Sequence, residues 1–280
     1  MSEKGLIVQM QTAFSRAINV GFIKKDKFIP ARVNLGITRQ RHTFQATVES
    51  LKLPEVQRIL KKYKAQNIST ITILRETLAC QIGLALSLAG INNYFGESFI
   101  GATHIKQKGS ITTEYKYENT EGLYKKGLWI IAESICIGRN LGRTMEELLS
   151  KNNPAEILFI CPIASKIGIE NVRKIINKYH IPVTFVVWGA LFGVDKTTLY
   201  DMPWGNKDTI AFDKRDKKTF INTYGPNLCV GGDFGNNYYC PSLAKALYKQ
   251  QLKKLKIIPE IPTVDEILSV YANDELIIEG

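Results

Sequence analysis

Residues 127–144 read GLWIIAESICIGRNLGRT, and this stretch decides how the rest of the chain is read. The apolar run 128–131 predicts a short buried strand, residues 133–140 a turn containing Gly138, and residues 141–150 a helix. An acid at a strand end, a glycine-bearing loop and a helix start together suit a ribose monophosphate. A carboxylate accepts hydrogen bonds from ribose hydroxyls, while the free amides and dipole of a helix N-terminus favour a phosphate. Glu133 is therefore the candidate sugar ligand. Ser134, Ile137, Gly138, Arg139, Asn140 and Leu141 form the candidate phosphate segment. Gly138 allows close backbone approach, Arg139 offers a charge-assisted contact and Asn140 a neutral one.

Working outward, strands and helices alternate. The β-branched run 68–74, ISTITIL, predicts a strand, 75–77 a polar turn and 78–88 an Ala- and Leu-rich helix. Downstream, 155–161 and 181–188 read as strands with a helix over 168–179 between them. Residues 43–65 have helical spacing split by Pro54. Residues 100–124 alternate apolar and polar side chains and predict a solvent-facing β-hairpin. This order predicts an α/β fold with a parallel sheet flanked by helices, whose ligand crevice lies at the carboxyl ends of the strands, just after Leu74, Ile131, Ile160 and Trp188. Three parts are expected. They are an N-terminal helical and basic segment over 1–66, the main domain over 67–241, and a helical extension over 242–280.

Composition limits the alternatives. With 45% hydrophobic and 22% charged residues among 280, the chain is expected to fold as a globular protein. No internal repeat stands out, and no run nears the roughly 18 apolar residues of a membrane span. Residues 1–21 lack the apolar block of a signal peptide, which makes a cytoplasmic location the expectation. The net charge of +11 favours anionic partners. Because the basic residues are dispersed, a phosphate-rich small molecule explains the sign as well as nucleic acid does. Five cysteines without a C-x-x-C pair argue against a disulfide framework, and three histidines without ligand spacing against a zinc site.

Four blocks occur in an order that resembles the uracil phosphoribosyltransferase family. They are LRETLACQIG at 74–83, the stretch at 127–144, ICPIASKIGIENV at 160–172 and VGGDFGNNYY at 230–239. The resemblance covers roughly residues 30–242. It implies a phosphoribosyltransferase-like sheet with a β-hairpin arm and a small hood. By the same resemblance, Arg75 faces the diphosphate, Glu133 the ribose, and residues 137–140 the 5-phosphate. Ala164 lies in the Ala-x-x-x-Gly segment, and Gly231, Gly232, Asp233 and Gly235 form the hood over the base. Arg39 and Arg41 look like the family's N-terminal basic segment. The implied reaction transfers ribose 5-phosphate from phosphoribosyl diphosphate to a uracil-like base, with Mg²⁺ on the diphosphate. The implied assembly is a homodimer or higher homo-oligomer, for which the apolar residues of the extension offer a surface.

The chain departs from that pattern at specific places. Ile137 stands for the threonine of the phosphate loop, Ala132 for the first strand-end acid, Glu76 for the small residue of the diphosphate loop, and Asn236-Asn237 for Asp-Arg. A lost neutral hydrogen bond costs about 0.5–1.5 kcal/mol net, so weaker diphosphate affinity is expected. Residues 191–207 match nothing in the family pattern. Other roles stay open for the site residues. Glu133 also suits a helix N-terminus, Arg75 an ion pair with Glu76 or Glu97, and Asp233 a simple turn. Cys80, Cys136, Cys161 and Cys229 lie in or beside the four blocks, where they could share a metal, supply a reactive thiol, or pack as small apolar groups. Two other functions compete: a different reaction on a nucleotide or modified heterocycle, and a non-catalytic regulator that binds a nucleotide or RNA.

Overall fold

A computed structural model describes residues 5–9, 20–24, 27–32, 36–74, 76–107, 110–197, 201–227 and 229–230. In chain order the strands and helices are β1 (Leu6–Gln9), β2 (Val20–Lys24), β3 (Lys27–Arg32), α1 (Gly36–Leu51), α2 (Pro54–Leu60), β4 (Ile68–Leu74) and α3 (Ile82–Leu88). The hairpin strands β5 (Gly96–Gln107) and β6 (Ser110–Asn119) follow, then β7 (Leu128–Ala132), α4 (Arg139–Lys151), β8 (Glu156–Cys161), β9 (Ala164–Ser165) and α5 (Lys166–Asn177). The described chain ends with β10 (Val183–Trp188), β11 (Ala190–Phe192), β12 (Ile210–Ala211), α6 (Lys214–Tyr224) and β13 (Cys229–Val230).

The main sheet has seven strands in the order β1-β10-β8-β7-β4-β5-β6. Every pair is parallel except β5 with β6. The period-2 alternation of a strand then divides its side chains between two layers. Leu128, Ile130 and Ala132 of β7 join Leu158, Ile160, Val186 and Trp188 in a core shared with α1, α2 and α3. Trp129 and Ile131 join Ile157, Phe159 and Phe185 in a second core with α4 and α5. Both faces are covered, which is why the central strands read as unbroken apolar runs instead of alternating patterns. The expected mostly parallel α/β sheet with helices on both faces is what forms. The first core is pinned to α1 by Trp188, whose Nε1 donates to Ser50 Oγ at 2.8 Å.

From β4 the chain moves outward to β5 and β6, then returns across β4 to build β7, β8 and β10 on the other side. The strand order therefore reverses between β4 and β7, and in open α/β sheets ligands bind outside the carboxyl ends at such a reversal. Leu74 and Ala132 end the two strands that flank it.

Several elements differ from the sequence expectation. The predicted helix over 78–88 is a 3-10 turn over Glu76–Cys80 followed by a shorter α-helix. The Thr77 hydroxyl donates back to Ile73 O, and Gln81 takes a left-handed φ of 43°, so the chain reverses before helix can start. The hairpin begins four residues early because residues 96–101 pair with β4 before leaving it as an arm. A register shift between Gly101 and Ala102 marks the departure, as a bulge does when it turns a strand away. Strand β1 takes the sheet edge beside β10, although its LIVQ sequence is too short to be recognised alone. Residues 191–207 begin within β11, which pairs with β9 and β12 in a small three-stranded sheet. Among the described residues, no helix is long and apolar enough to cross a membrane.

Candidate functional site

After β7 the chain does not leave the sheet at once. Glu133 N donates to Ile160 O at 3.2 Å, Ile135 N to Ile163 O at 2.8 Å, and Ser165 N returns a bond to Ile135 O at 2.8 Å. These bonds carry the loop 133–138 along the segment that follows β8. Two side chains then hold the loop carbonyls: the Ser165 hydroxyl donates to Cys136 O, and Asn171 Nδ2 donates to Ile137 O at 3.0 Å. Ser165 Oγ also accepts from Gly168 N at 2.9 Å as the N-cap of α5, so one hydroxyl joins helix and loop.

Two glycines allow this fit. A Cβ on Gly168 would lie 2.0 Å from Cys136 O, and one on Gly138 would lie 2.7 Å from Gly168 O. Gly138 also has a φ of +72°, the left-handed region that glycine enters without penalty. It is the N-cap of α4 and, having no side chain, supplies no capping hydrogen bond. The first amides of an α-helix have no partner within the helix, so the start of α4 presents donors and the positive end of its dipole.

The expected contact residues divide into three groups. Glu133, Ser134, Ile137 and Asn140 are partly exposed around the turn, and Arg139 is exposed. Ser134 Oγ and Asn140 Oδ1 are themselves buried, without a hydrogen-bond partner among the described residues. Buried polar atoms are rarely left unmatched, and these two stand on either side of the Gly138 turn. Leu141 and Ala164 are buried in the core, where only their backbone can meet a ligand. Arg75, Gly231, Gly232, Asp233 and Gly235 lie outside the described residues, as do the extension over 242–280 and Cys240.

Cys80, Cys136, Cys161 and Cys229 are outside any disulfide; Cys80, Cys161 and Cys229 are buried and Cys136 partly so. Burial pushes the Cys161 thiol up, and the nearby charges of Glu133 and Cys80 push it the same way. Glu133 and Cys80 therefore both lie within electrostatic reach of Cys161. Burial likewise pushes Cys136 up to about 11, against a smaller lowering by the Ile137 backbone and with a further rise from Asp201. Among the described residues, no group of three or more His, Cys, Asp or Glu side chains could hold a metal ion. A cluster shared by four cysteines is thus not assembled.

Asp201 is the residue that sequence reasoning passed over. It belongs to the unmatched stretch after β11, where Asp195 N donates to Asp201 O at 2.7 Å and Val230 N to Met202 O at 3.1 Å. Those bonds set its carboxylate within electrostatic reach of Cys136 in the 133–138 loop. The only sequence signal was an acid just before the Met-Pro-Trp-Gly turn at 202–205. Trp204 of that turn is fully buried, edge-on to Phe192 at 4.9 Å between ring centroids. It is part of the core.

No protein-family model matches the chain, and no curated protein matches it in sequence. Solved structures do show likeness. The AQ2163 protein from Aquifex aeolicus is 17% identical over 56% of this chain and 77% of its own, with a TM-score of 0.42. Adenine phosphoribosyl transferase from Trypanosoma brucei, in complex with AMP, pyrophosphate and ribose-5-phosphate, is 10% identical over 74% of this chain and 90% of its own, with a TM-score of 0.41. The hypoxanthine-guanine phosphoribosyl transferase of L. donovani is 16% identical over 66% and 96%, with a TM-score of 0.38. What this chain binds has to be read from its own residues.

Proposed function

We propose that the chain binds a phosphoribosyl group at the 133–140 turn and transfers it from phosphoribosyl diphosphate to a flat nitrogen heterocycle, with uracil as the base implied by the four sequence blocks. The observation that carries this reading is the turn itself. An acid stands at the strand-order reversal, a left-handed glycine opens α4, and the buried atoms Ser134 Oγ and Asn140 Oδ1 have no partner among the described residues. In this reading Glu133 accepts hydrogen bonds from the ribose hydroxyls, and the amides at 138–140 hold the 5-phosphate. Arg75 faces the diphosphate, and the 231–235 block with Asp233 meets the base. The protein's part is to position two reactants and screen charge as the bond from ribose to diphosphate breaks and the bond to the ring nitrogen forms.

Mg²⁺ is commonly held by one or two carboxylates together with substrate phosphate oxygens. The Glu133 carboxylate and a diphosphate make a donor set of that kind. When bound, the ion neutralises charge on the leaving diphosphate.

Titration calorimetry with phosphoribosyl diphosphate and Mg²⁺ tests the reading. Replacing Glu133 by Ala removes charge-assisted hydrogen bonds worth about 1.5–3 kcal/mol, a roughly tenfold to hundredfold loss of affinity. Unchanged affinity in Glu133→Ala would overturn the assignment. Ile137 and Glu76, in place of a hydroxyl donor and a small residue, favour one second reading: a different reaction on a nucleotide or modified heterocycle. No binding of phosphoribosyl diphosphate at millimolar concentration would decide for it. A nucleotide- or RNA-binding regulator predicts instead a salt-dependent mobility shift with RNA.

A further inference from the structure

A concave surface lies between β12 and α6. It encloses about 550 Å³. Its walls include Thr209 and Ile210 on one side and Lys214, Lys217, Lys218 and Ile221 on the other. Ile210 is 56% exposed and the neighbouring Phe212 57% exposed, so apolar surface faces water here. Lys217 is built into the wall, its Nζ donating to Asn206 O at 3.3 Å and Thr209 O at 3.0 Å. Lys214 and Lys218 stand one helical turn apart, both exposed, and neither forms an ion pair with a described residue. Of the two acids in the 213–218 stretch, Asp213 and Asp216, the first is already engaged: Arg215 grips its carboxylate at 2.7 Å and holds it below the usual carboxylate range. The groove thus has an apolar floor and a rim that carries Lys214 and Lys218.

The chain contains a segment with the complementary pattern. Residues 257–280 hold six of the 26 acidic residues and none of the 37 basic ones. Within them, DELIIE at 274–279 places three apolar side chains between acids on both sides. The route is short as well. Cys229 bridges to Pro203, and Pro203 O accepts from Thr209 Oγ1 at 3.2 Å, so the described chain ends beside the groove wall. The 26 residues 231–256 lie between that end and the segment, and at up to about 3.3 Å per residue their contour length is ample for the return.

We propose that the β12–α6 groove is the docking site of this chain's own 257–280 segment, with Leu276, Ile277 and Ile278 on the apolar floor and Asp274, Glu275 and Glu279 at the lysine rim. Docking covers Ile210 and sets the chain's most acidic stretch against surplus lysines. Attraction between exposed charges is screened by salt, while the apolar contact resists it. Nucleic acid fits the rim less well, because the apolar floor would meet a phosphate backbone.

Hydrogen exchange and zero-length carbodiimide cross-linking on the full chain test this. The amides of 274–279 are expected to exchange at least about tenfold more slowly than in a free peptide of the same sequence. Lys214 or Lys218 is expected to couple to Asp274, Glu275 or Glu279. The exposed substitutions Ile210→Asp and Lys218→Glu, made together, should return exchange to the free-peptide rate without unfolding the protein, as the unchanged circular dichroism spectrum would show. Free-peptide exchange in the unmodified chain overturns the proposal. So do cross-links from 274–279 spread over lysines elsewhere, and so do cross-links chiefly between heavy and light copies in an isotopically mixed sample. RNA retained through Lys214 and Lys218 while 274–279 exchanges freely would assign the groove to nucleic acid instead.

Discussion

The turn at 133–138 and the lysine groove on α6 are made of different material. The turn is main chain held by main chain: carbonyls of Cys136 and Ile137 are gripped by Ser165 and Asn171, and Gly138 and Gly168 leave no room for a Cβ. The groove is made of side chains on a surface helix and a two-residue strand. A site built from backbone tolerates chemical change poorly because any added atom collides with something that cannot rotate away. A site built from surface side chains can lose a residue and keep its fold.

That contrast can be broken by mutation. The largest effect belongs to Gly168→Ala. Its Cβ would meet Cys136 O at 2.0 Å and Ile135 Cγ2 at 2.7 Å, so backbone must move. Urea denaturation should show a loss of about 3 kcal/mol, the upper end for overpacking; a loss below about 1 kcal/mol would show that the loop is not clamped. Next comes the chemistry of Cys136. With its pKa pushed up from 9.0 to about 11, its thiolate population at pH 8 falls about a hundredfold. Alkylation at pH 8 should therefore be about a hundredfold slower than for an unperturbed thiol, and should accelerate as pH rises toward 11. Rapid labelling at pH 8 would mean that the turn opens. Ser165→Ala removes both the cap of α5 and the bond to Cys136 O, with an expected cost of about 1–2 kcal/mol by the same denaturation experiment. The smallest effect is on the groove side: Lys214→Ala or Lys218→Ala should change stability by no more than about 0.5 kcal/mol, because both side chains are exposed.

Much of the sheet was legible because its strands are buried on both faces. The run 68–74 matches β4 residue for residue, and the strands read at 128–131, 155–161 and 181–188 lie within two residues of β7, β8 and β10. Such runs need no partner to be recognised. β1 was not, since four residues at a sheet edge acquire meaning only from pairing with β10. The helix over 78–88 failed for a related reason. Its composition favours helix, but the Thr77 bond to Ile73 O and the left-handed Gln81 impose a reversal that propensity does not record. At the turn, the acid, the glycine and the helix start could be read in order. The clamp by Ser165 and Asn171 could not, because those residues lie about 30 positions away and reach the loop only through the pairing of Ile135 with Ala164.

By itself, then, the order of residues 127–144 determined a strand, an acid, a glycine turn and a helix, since each follows from local periodicity and from the freedom of glycine. Only the tertiary structure decided that β4 and β7 lie at the reversal of strand order. It also decided that Asp201 comes within reach of Cys136, and that Ser134 Oγ and Asn140 Oδ1 are buried without a partner among the described residues. These are properties of contacts between segments far apart in the chain, and a hydrogen bond or a buried charge exists only once both sides have been brought together.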